Sequence, residues 1–291
     1  MKKVVRMLGL CALVALAFTA CKKDDTQKVT FTANVAQPVN ETRTHAEYGA
    51  YLVWDDGDAI QIFNHEGAEM DFTAQSSTGL PGNATFTAAT DEEIAFVKDL
   101  EDAEKPYTAF YPNATVDEND KVNLVIPAEQ TYVERRSFVS ELYPMVGFNE
   151  GTKQFNFISN AGFLVLSFYT LEAGDIQYVD EIVVTTVEDE DYLTGTMVYD
   201  KDGQNYQFVG NGNQVVLTTG EPVDLEHSKS RDFTFVLPEG ALYSGFDVEV
   251  KLAGEVIETY HAQPRPNTVI TAQTYTVMID MPVPNPPVPT K

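Results

Sequence analysis

Cysteine is nearly absent from this chain of 291 residues, which contains only Cys11 and Cys21. Both lie within the first 25 residues, so no disulfide can link the later parts of the chain. The stability of the folded protein must therefore come from the burial of apolar side chains.

Basic residues are also scarce, with 19 Lys and Arg against 44 Asp and Glu, which gives a formal charge of −25. A surface of that sign repels the phosphate backbone of nucleic acids and the head groups of anionic lipids. We therefore expect no nucleic-acid partner, and any attachment to a membrane must rest on something other than charge.

Long apolar runs are missing as well, because the run at residues 7–18 is too short to cross about 30 Å of hydrocarbon as a helix. Basic residues precede this run and the small residues Thr19 and Ala20 follow it, which is typical of a secretory signal peptide. The sequence therefore predicts a signal peptide at residues 1–20. The alternatives are a membrane-spanning helix and a secreted protein that carries Cys21 by coincidence.

Cys21 follows Phe18, Thr19 and Ala20, and this order of hydrophobic, small, small and Cys resembles the lipobox of bacterial lipoproteins. The resemblance implies that the chain is cut before Cys21 and that Cys21 is lipidated, carrying acyl chains such as palmitate. Two or three acyl chains hold a protein stably on a membrane. Residues 21–27 would then be a lipidated linker to the outer membrane. Its Lys-Lys-Asp-Asp at residues 22–25 resembles an export tag for the cell surface, the alternative being a plain solvated linker.

From Lys28 onward, apolar and polar residues alternate with a period of two, and turn-forming residues separate the alternating segments. This pattern predicts an all-β fold of antiparallel β-sandwiches. The alternating segments are residues 29–35, 122–126, 233–237, 246–252 and 275–281. Ala253-Gly254 marks a hairpin turn. Residues 155–169 are apolar enough to form one strand buried on both faces.

A polar, Gly-containing stretch at residues 149–152 predicts a domain boundary, giving an N-terminal domain at 28–152 and a C-terminal domain at 153–281. A Pro-rich tail follows at 282–291. One helix is expected at residues 91–102, where Thr90 and Glu93 can form a capping box, although this acidic segment is equally compatible with a solvated insertion.

No spacing of His, Cys, Ser or Gly in the chain matches a catalytic, cofactor-binding or nucleotide-binding motif. We therefore predict that the protein is not an enzyme and has no catalytic residues, cofactor or metal. Two acidic clusters, Asp55-Asp56-Gly57-Asp58 and residues 200–205, could bind calcium, but both lack the downstream Glu of a calcium loop and are better interpreted as hairpin turns.

Aromatic residues near two turns leave open a carbohydrate site, since exposed rings stack on sugars. These residues are Tyr48, Tyr51, Trp54, Tyr107, Phe110 and Tyr111. Packing in a β-sandwich core uses the same residue types, and it is the favoured interpretation.

Several motifs occur in the order and spacing of the fimbrillin family, the lipoprotein precursors of type V pili, which the chain resembles. They are Thr42-Arg43-Thr44, Trp54-Asp55-Asp56-Gly57-Asp58-Ala59-Ile60, Tyr107-Thr108-Ala109-Phe110-Tyr111-Pro112, Leu124-Val125-Ile126-Pro127 with Gln130, and Phe235-Val236-Leu237-Pro238. The resemblance implies two tandem transthyretin-like antiparallel β-sandwich domains. It also implies that an arginine-directed protease releases the lipidated first strand, and that a strand from another pilus subunit then takes its place.

Arg43 is the only Lys or Arg between Lys28 and Lys98, so a trypsin-like protease meets one site in this stretch, just after the alternating segment at 29–35. Loss of that segment would expose an apolar groove and two unpaired strand edges. The alternative is an ordinary surface arginine paired with a carboxylate such as Glu41.

In the tail, every second residue from Pro282 to Pro286 is proline, so an extended strand there would lack N–H donors along one edge. Such a strand is a poor donor to another subunit, which makes a tip or anchor subunit as plausible as a stalk pilin. The leading hypothesis is thus a non-catalytic, lipid-anchored surface subunit of type V fimbriae that contributes to adhesion. The alternative is a monomeric surface lipoprotein that binds a glycan or host ligand.

Overall fold

The computed structural model describes residues 28–35, 39–40, 54–75, 82–112, 114–134, 137–171, 176–227 and 229–283. Within these residues the regular secondary structure is almost entirely strand. The strands up to the middle of the chain are β1 (Val29–Val35), β2 (Val39–Asn40), β3 (Ala59–Phe63), β4 (Glu69–Gln75), β5 (Asn83–Ala88), β6 (Thr108–Tyr111), β7 (Thr115–Val116), β8 (Val122–Ile126), β9 (Glu129–Val133), β10 (Ser137–Phe138) and β11 (Met145–Asn149).

The remaining strands are β12 (Gln154–Ile158), β13 (Ala161–Thr170), β14 (Ile176–Thr186), β15 (Thr194–Tyr199), β16 (Tyr206–Gly212), β17 (Gln214–Glu226), β18 (Arg231–Pro238), β19 (Phe246–Leu252), β20 (Glu255–Ala262) and β21 (Thr274–Val283). The helical elements in the described residues are α1 (Asp91–Phe96) and two 3₁₀ turns, Ser140–Leu142 and Pro266–Thr268. The predicted all-β fold is confirmed.

Seven strands form a sheet that closes on itself, in the order β1-β12-β11-β6-β3-β4-β5, with β5 pairing back to β1. Three open sheets complete the architecture. Their orders are β10-β9-β17-β14-β19-β20, β18-β13-β21-β2 and β16-β15-β8-β7. Most neighbouring strands are antiparallel, as expected, but four pairs are parallel: β1–β12, β13–β21, β9–β17 and β2–β21.

Two apolar cores lie between these sheets, and β13 separates them. Phe163 and Val165 belong to the core inside the closed sheet, whereas Leu164 and Leu166 belong to the core under the six-stranded sheet. Because successive side chains of a strand point to opposite faces, one apolar strand can serve both cores. The prediction of a strand buried on both faces is thus confirmed for β13.

The prediction of one unbroken strand over residues 155–169 is wrong, because β12 ends at Ile158 and β13 begins at Ala161. Ser159 causes the break: its hydroxyl donates to the Pro144 carbonyl at 2.5 Å and accepts the Ala161 N–H at 3.0 Å. These local hydrogen bonds compete with the strand ladder and turn the chain from one sheet into the next.

The predicted helix starts where expected and is shorter than expected. The Thr90 hydroxyl accepts the Glu93 N–H at 3.2 Å, and the Glu93 carboxylate accepts the Thr90 N–H at 2.9 Å, which forms the capping box. The α-helix ends at Phe96, and the chain continues in turns that bury Val97 and Leu100. The hairpin predicted at Ala253-Gly254 joins β19 to β20, and both residues have positive φ, 52° and 82°.

Strands from the two predicted domains pair with each other. In the sheet β16-β15-β8-β7, Leu124 of β8 lies opposite Met197 of β15. In the six-stranded sheet, β9 runs parallel to β17 with Gln130 opposite Leu217. The strand β12, which follows the predicted boundary at residue 152, belongs to the closed sheet. The positions of the two domain limits stay a prediction.

Candidate functional site

The strand β1 fills a cleft between β5 and β12, which we call the β1 groove. It runs antiparallel to β5, with Phe31 opposite Phe86, and parallel to β12, with Ala33 opposite Phe155. Its register with β5 covers residues 29–34, and its register with β12 covers residues 32–35. The first strand of the described chain is therefore an interior member of a closed sheet, bonded along both edges.

The alternation of β1 places every second side chain inside the closed sheet. Phe31 is 1% exposed, Ala33 0% and Val35 4%, whereas Thr30 on the opposite face is exposed. The predicted half-buried strand at 29–35 is confirmed. The inward face alone supplies apolar surface to the core, which is why the sequence alternates with a period of two.

Phe31 is the centre of this inward face and lies among three other rings. Its ring centroid is 5.1 Å from that of Phe72, 5.5 Å from that of Phe86 and 5.9 Å from that of Phe155. Edge-to-face and offset ring pairs at these distances contribute roughly 0.5–1.5 kcal/mol each beyond the buried area. Phe31 thus fills an aromatic pocket that three other strands build.

Two further backbone hydrogen bonds hold β1 at its middle and at its C-terminal end. The Thr32 N–H donates to the Lys153 carbonyl at 2.8 Å, and the Val35 N–H donates to the Gly82 carbonyl at 2.8 Å. If β1 left, the facing edges of β5 and β12 would lose their partners inside a closed sheet. Unpaired edges beside an exposed apolar cleft favour the addition of another strand.

The two site residues predicted from the sequence, Cys21 and Arg43, lie outside the described residues, as do the signal peptide and the linker 21–27. The order of the sequence still fixes one relation: Arg43 follows β1 and β2, and it precedes every other described strand. A cut after Arg43 would therefore separate β1 and β2 from the rest of the chain.

The aromatic residues considered for carbohydrate binding are buried wherever the structure describes them. Trp54 packs against Phe86, Tyr111 and Phe157 with ring centroids 5.0–5.9 Å apart, and its Nε1–H donates to the Gly82 carbonyl at 3.2 Å. Three other members of the set are also core residues, namely Tyr107, Phe110 and Tyr111. The favoured core interpretation is confirmed for these four residues, while Tyr48 and Tyr51 lie outside the described chain.

The first acidic cluster forms a tight turn before β3. The Asp55 N–H donates to Asp58 Oδ2 at 2.8 Å, the Asp58 N–H donates to the Asp55 carbonyl at 3.1 Å, and Gly57 has a φ of +104°. The Tyr111 hydroxyl donates to Asp58 Oδ1 at 3.1 Å. Burial raises the pKa of the Asp58 carboxyl, although these hydrogen bonds act in the opposite direction. Both carboxylate oxygens of Asp58 thus accept hydrogen bonds, one from the turn and one from Tyr111.

The second acidic cluster forms the turn between β15 and β16. The Asp200 carboxylate binds the Lys121 ammonium and accepts the Asn205 amide at 3.1 Å, and both contacts hold the pKa of Asp200 below its ordinary value. The Gly203 N–H donates to the Asp200 carbonyl at 2.8 Å. Among the described residues, no three His, Cys, Asp or Glu side chains are grouped so that they could hold a metal ion.

The described histidines lie far apart in the sequence and have separate, ordinary partners. His227 Nδ1 lies 2.9 Å from the Thr170 carbonyl oxygen, His261 Nδ1 lies 2.7 Å from Asp247 Oδ1, and His65 Nε2 lies 3.7 Å from Glu66 Oε1. Each of these three histidines thus has a different partner, and His45 lies outside the described residues.

The buried side chain of Gln130 connects two sheets, a role that its sequence position does not indicate. Its side chain is 2% exposed; Nε2 donates to the Val236 carbonyl at 2.8 Å and Oε1 accepts the Val236 N–H at 3.0 Å. The amide thereby takes the place of a neighbouring strand at the outer edge of β18 and joins two sheets. Its reciprocal bonds satisfy buried backbone groups that would otherwise have a high cost.

None of the described helices is long and apolar enough to cross a membrane. Comparison of the sequence with models of protein families and with curated proteins finds no match.

Solved structures do resemble the chain. A candidate cell adhesion protein from Bacteroides ovatus has a TM-score of 0.51 at 11% identity, with 84% of this chain and 87% of that chain covered. A fimbrial protein from the same organism has a TM-score of 0.39 at 11% identity, covering 88% of this chain and 49% of that one. A fimbrial assembly protein from Parabacteroides distasonis has a TM-score of 0.32 at 10% identity, covering 86% and 90%. At identities this low, a likeness concerns the fold, and the chain shares its fold with the candidate cell adhesion protein from Bacteroides ovatus.

Proposed function

We propose that this protein is a non-catalytic subunit of type V fimbriae that is anchored to the outer membrane through lipidated Cys21, is exposed at the cell surface and contributes to adhesion. In this proposal it assembles with other pilus subunits by strand exchange, as a pilin, a tip or an anchor subunit. The observation that carries it is the position of β1: an N-terminal strand, bonded on both edges of a groove, that lies before Arg43 in the sequence.

The physical basis of the exchange is the apolar face of the β1 groove. Loss of β1 would uncover the pocket that Phe31 fills and the sites of Ala33 and Val35. Burial of a Phe or Val side chain contributes about 1.5–3 kcal/mol, so the empty groove is strongly unfavourable in water. A strand with the same alternation, supplied by another subunit, would restore both the apolar contacts and the two backbone ladders.

The lipid anchor and β1 belong to the same N-terminal segment. Val29 lies eight positions after Cys21, with seven residues between them, and a fully extended chain over eight positions spans at most about 29 Å. The uncut protein would thus lie close to the membrane, with β1 joining the lipidated linker to the folded body. After a cut at Arg43, only the non-covalent contacts of β1 and β2 would hold the folded body to the lipidated segment. Loss of β1 would then free the body from the membrane and open the β1 groove together.

The fold shared with a candidate cell adhesion protein supports the adhesive part of the proposal. The proposal assigns no catalytic residue, metal or cofactor to the chain. The alternative, a monomeric glycan-binding lipoprotein, loses its main support because Trp54, Tyr107, Phe110 and Tyr111 pack in the core and offer no free ring face to a sugar.

The decisive experiment compares cells that express the natural chain with cells that express Arg43→Ala. We expect the natural chain to yield a protease-dependent ladder of high-mass species whose subunits begin at Thr44, and we expect Arg43→Ala to stay lipidated at Cys21 and monomeric. Arg265→Ala is the matched control, since Arg265 is an exposed arginine far along the sequence. A natural chain that remains monomeric with its N-terminus at Cys21, in the presence of the arginine-specific protease, would contradict the assembly mechanism.

A further inference from the structure

The N-terminal strands β1 and β2 pair in two different sheets. β1 belongs to the closed sheet, whereas β2 pairs with β21 in the four-stranded sheet β18-β13-β21-β2. Only three residues separate Val35, the end of β1, from Val39, the start of β2. We call these two strands together the N-terminal strap, because one short stretch of chain is bonded to both sheets.

The strap runs in the same direction as the strands β12 and β13 that it accompanies. Val35 of β1 lies opposite Phe157 of β12 in a parallel pair. Further along, Asn40 of β2 lies opposite Tyr275 of β21, which in turn lies opposite Phe163 of β13. In the strap, β1 therefore pairs directly with β12, whereas β21 lies between β2 and β13.

The start of β21 is paired on both edges in the uncut chain. On one side it is parallel to β13, with seven registered residue pairs from Phe163–Tyr275 to Thr170–Val283. On the other side it is parallel to β2, with the pairs Val39–Thr274 and Asn40–Tyr275. Among the described residues β2 is the outermost strand of this sheet and covers only the first two residues of β21, so its removal would extend the edge of β21 to Thr274 and Tyr275.

We propose that the strap covers the start of β21 as well as filling the β1 groove, so that after a cut at Arg43 the departure of β1 exposes the groove and the first residues of the β21 edge together. The proposal rests on the proposed function for the occurrence of the cut, because Arg43 follows β2 in the sequence and a cut there separates both strands from the body. The two contacts differ in strength. β1 is bonded on both edges and buries its inward face, whereas β2 pairs at two positions on one edge.

This difference sets the order of events. Two registered pairs cannot hold a short strand once its covalent link to the body is lost, since each backbone hydrogen bond has a small net contribution. After the cut, β2 therefore remains on β21 only as long as β1 remains in its groove. Displacement of β1 by an incoming strand would then release the edge of β21, which couples occupation of the groove to exposure of the last strand.

The experiment measures amide hydrogen exchange in the full lipidated chain in detergent. The test variant is Val39→Pro with Asn40→Pro, because proline has no N–H and breaks the pairing of β2 without any cut. The matched control is Val39→Ala with Asn40→Ala, which keeps both backbone donors. We expect exchange of the first amides of β21 to rise about tenfold in the proline variant and to stay unchanged in the alanine variant, with β5 and β12 protected in both.

The same measurement follows a cut chain from which the fragment ending at Arg43 has been removed, with Arg43→Ala as the uncut control. Here we expect exchange to rise in β5, β12 and β21 together. A rise confined to β5 and β12, with β21 unchanged in the proline variant, would overturn the role of β2 on β21 and leave strand exchange intact. A different pair of results is also informative: β21 loses protection in the proline variant, and the natural chain is never cut on cells. That pair would support the role of β2 on β21 and contradict the proposed function.

Discussion

Removal of the Phe31 ring tests whether β1 is held as the structure indicates. Phe31→Ala would leave a cavity among Phe72, Phe86 and Phe155, and the closed sheet gives these rings little room to collapse. Substitutions of this kind in well-packed cores lower the free energy of unfolding by about 3–5 kcal/mol. That is a large part of the 5–15 kcal/mol that stabilises an ordinary folded protein.

The matched control is Thr30→Ala, one residue earlier on the exposed face of the same strand, for which we expect a change of less than about 0.5 kcal/mol. Both variants would also carry Arg43→Ala so that the chain stays intact during urea unfolding. In the cut protein, the same loss of about 4 kcal/mol should weaken retention of the released β1 fragment roughly 10³-fold, measured as its rate of exchange with a labelled peptide. If both substitutions lowered the free energy of unfolding by the same small amount, Phe31 would not be the main contact that holds β1.

Two further predictions concern residues away from the groove. Gln130→Met keeps the size of the side chain but leaves the N–H and the carbonyl of Val236 unpaired and buried, so we expect the free energy of unfolding to fall by about 2–4 kcal/mol, against almost no change for the exposed Glu129→Ala. A loss as small as that of Glu129→Ala would show that the edge of β18 needs no such partner. In the capping box, N–H donation from Thr90 and Ala89 holds the pKa of Glu93 below its ordinary value of 4.5. Its contribution is therefore complete above pH 4.5 and is lost as the pH falls through the lower folded-state value. The difference in urea midpoint between the natural chain and Glu93→Gln should thus shrink from pH 6 to pH 3, and a constant difference would show that the carboxylate charge has no part in the cap.

Local features of the fold could be predicted from the sequence because they depend on nearby residues. The Ala253-Gly254 hairpin, the capping box of Thr90 and Glu93, and the alternation of β1 each follow from spacing over a few positions. The end of α1 at Phe96 was less predictable, because Val97 and Leu100 are as apolar as a helix requires and are buried in turns instead.

Long-range pairing could not be predicted in the same way. The parallel alignment of β1 with β12 and of β9 with β17 depends on which edges meet after the sheets form, and no pattern within either strand records it. The break at Ser159 depends on the carbonyl of Pro144, fifteen residues earlier. The candidate groove was therefore predictable as a strand with one apolar face, but its two walls were not.

The pairing of β1 also bears on how the chain folds as it is synthesised from its N-terminus. Thr32 emerges early in synthesis, yet its partner Gln154 emerges more than a hundred residues later, and the partners of β2 begin only at Thr274. Until then the apolar side of β1 has at most one neighbouring strand, β5, to cover it. The first described strand thus waits for a distant partner before its pairing is complete, and until then its open edge could pair with other unfolded chains.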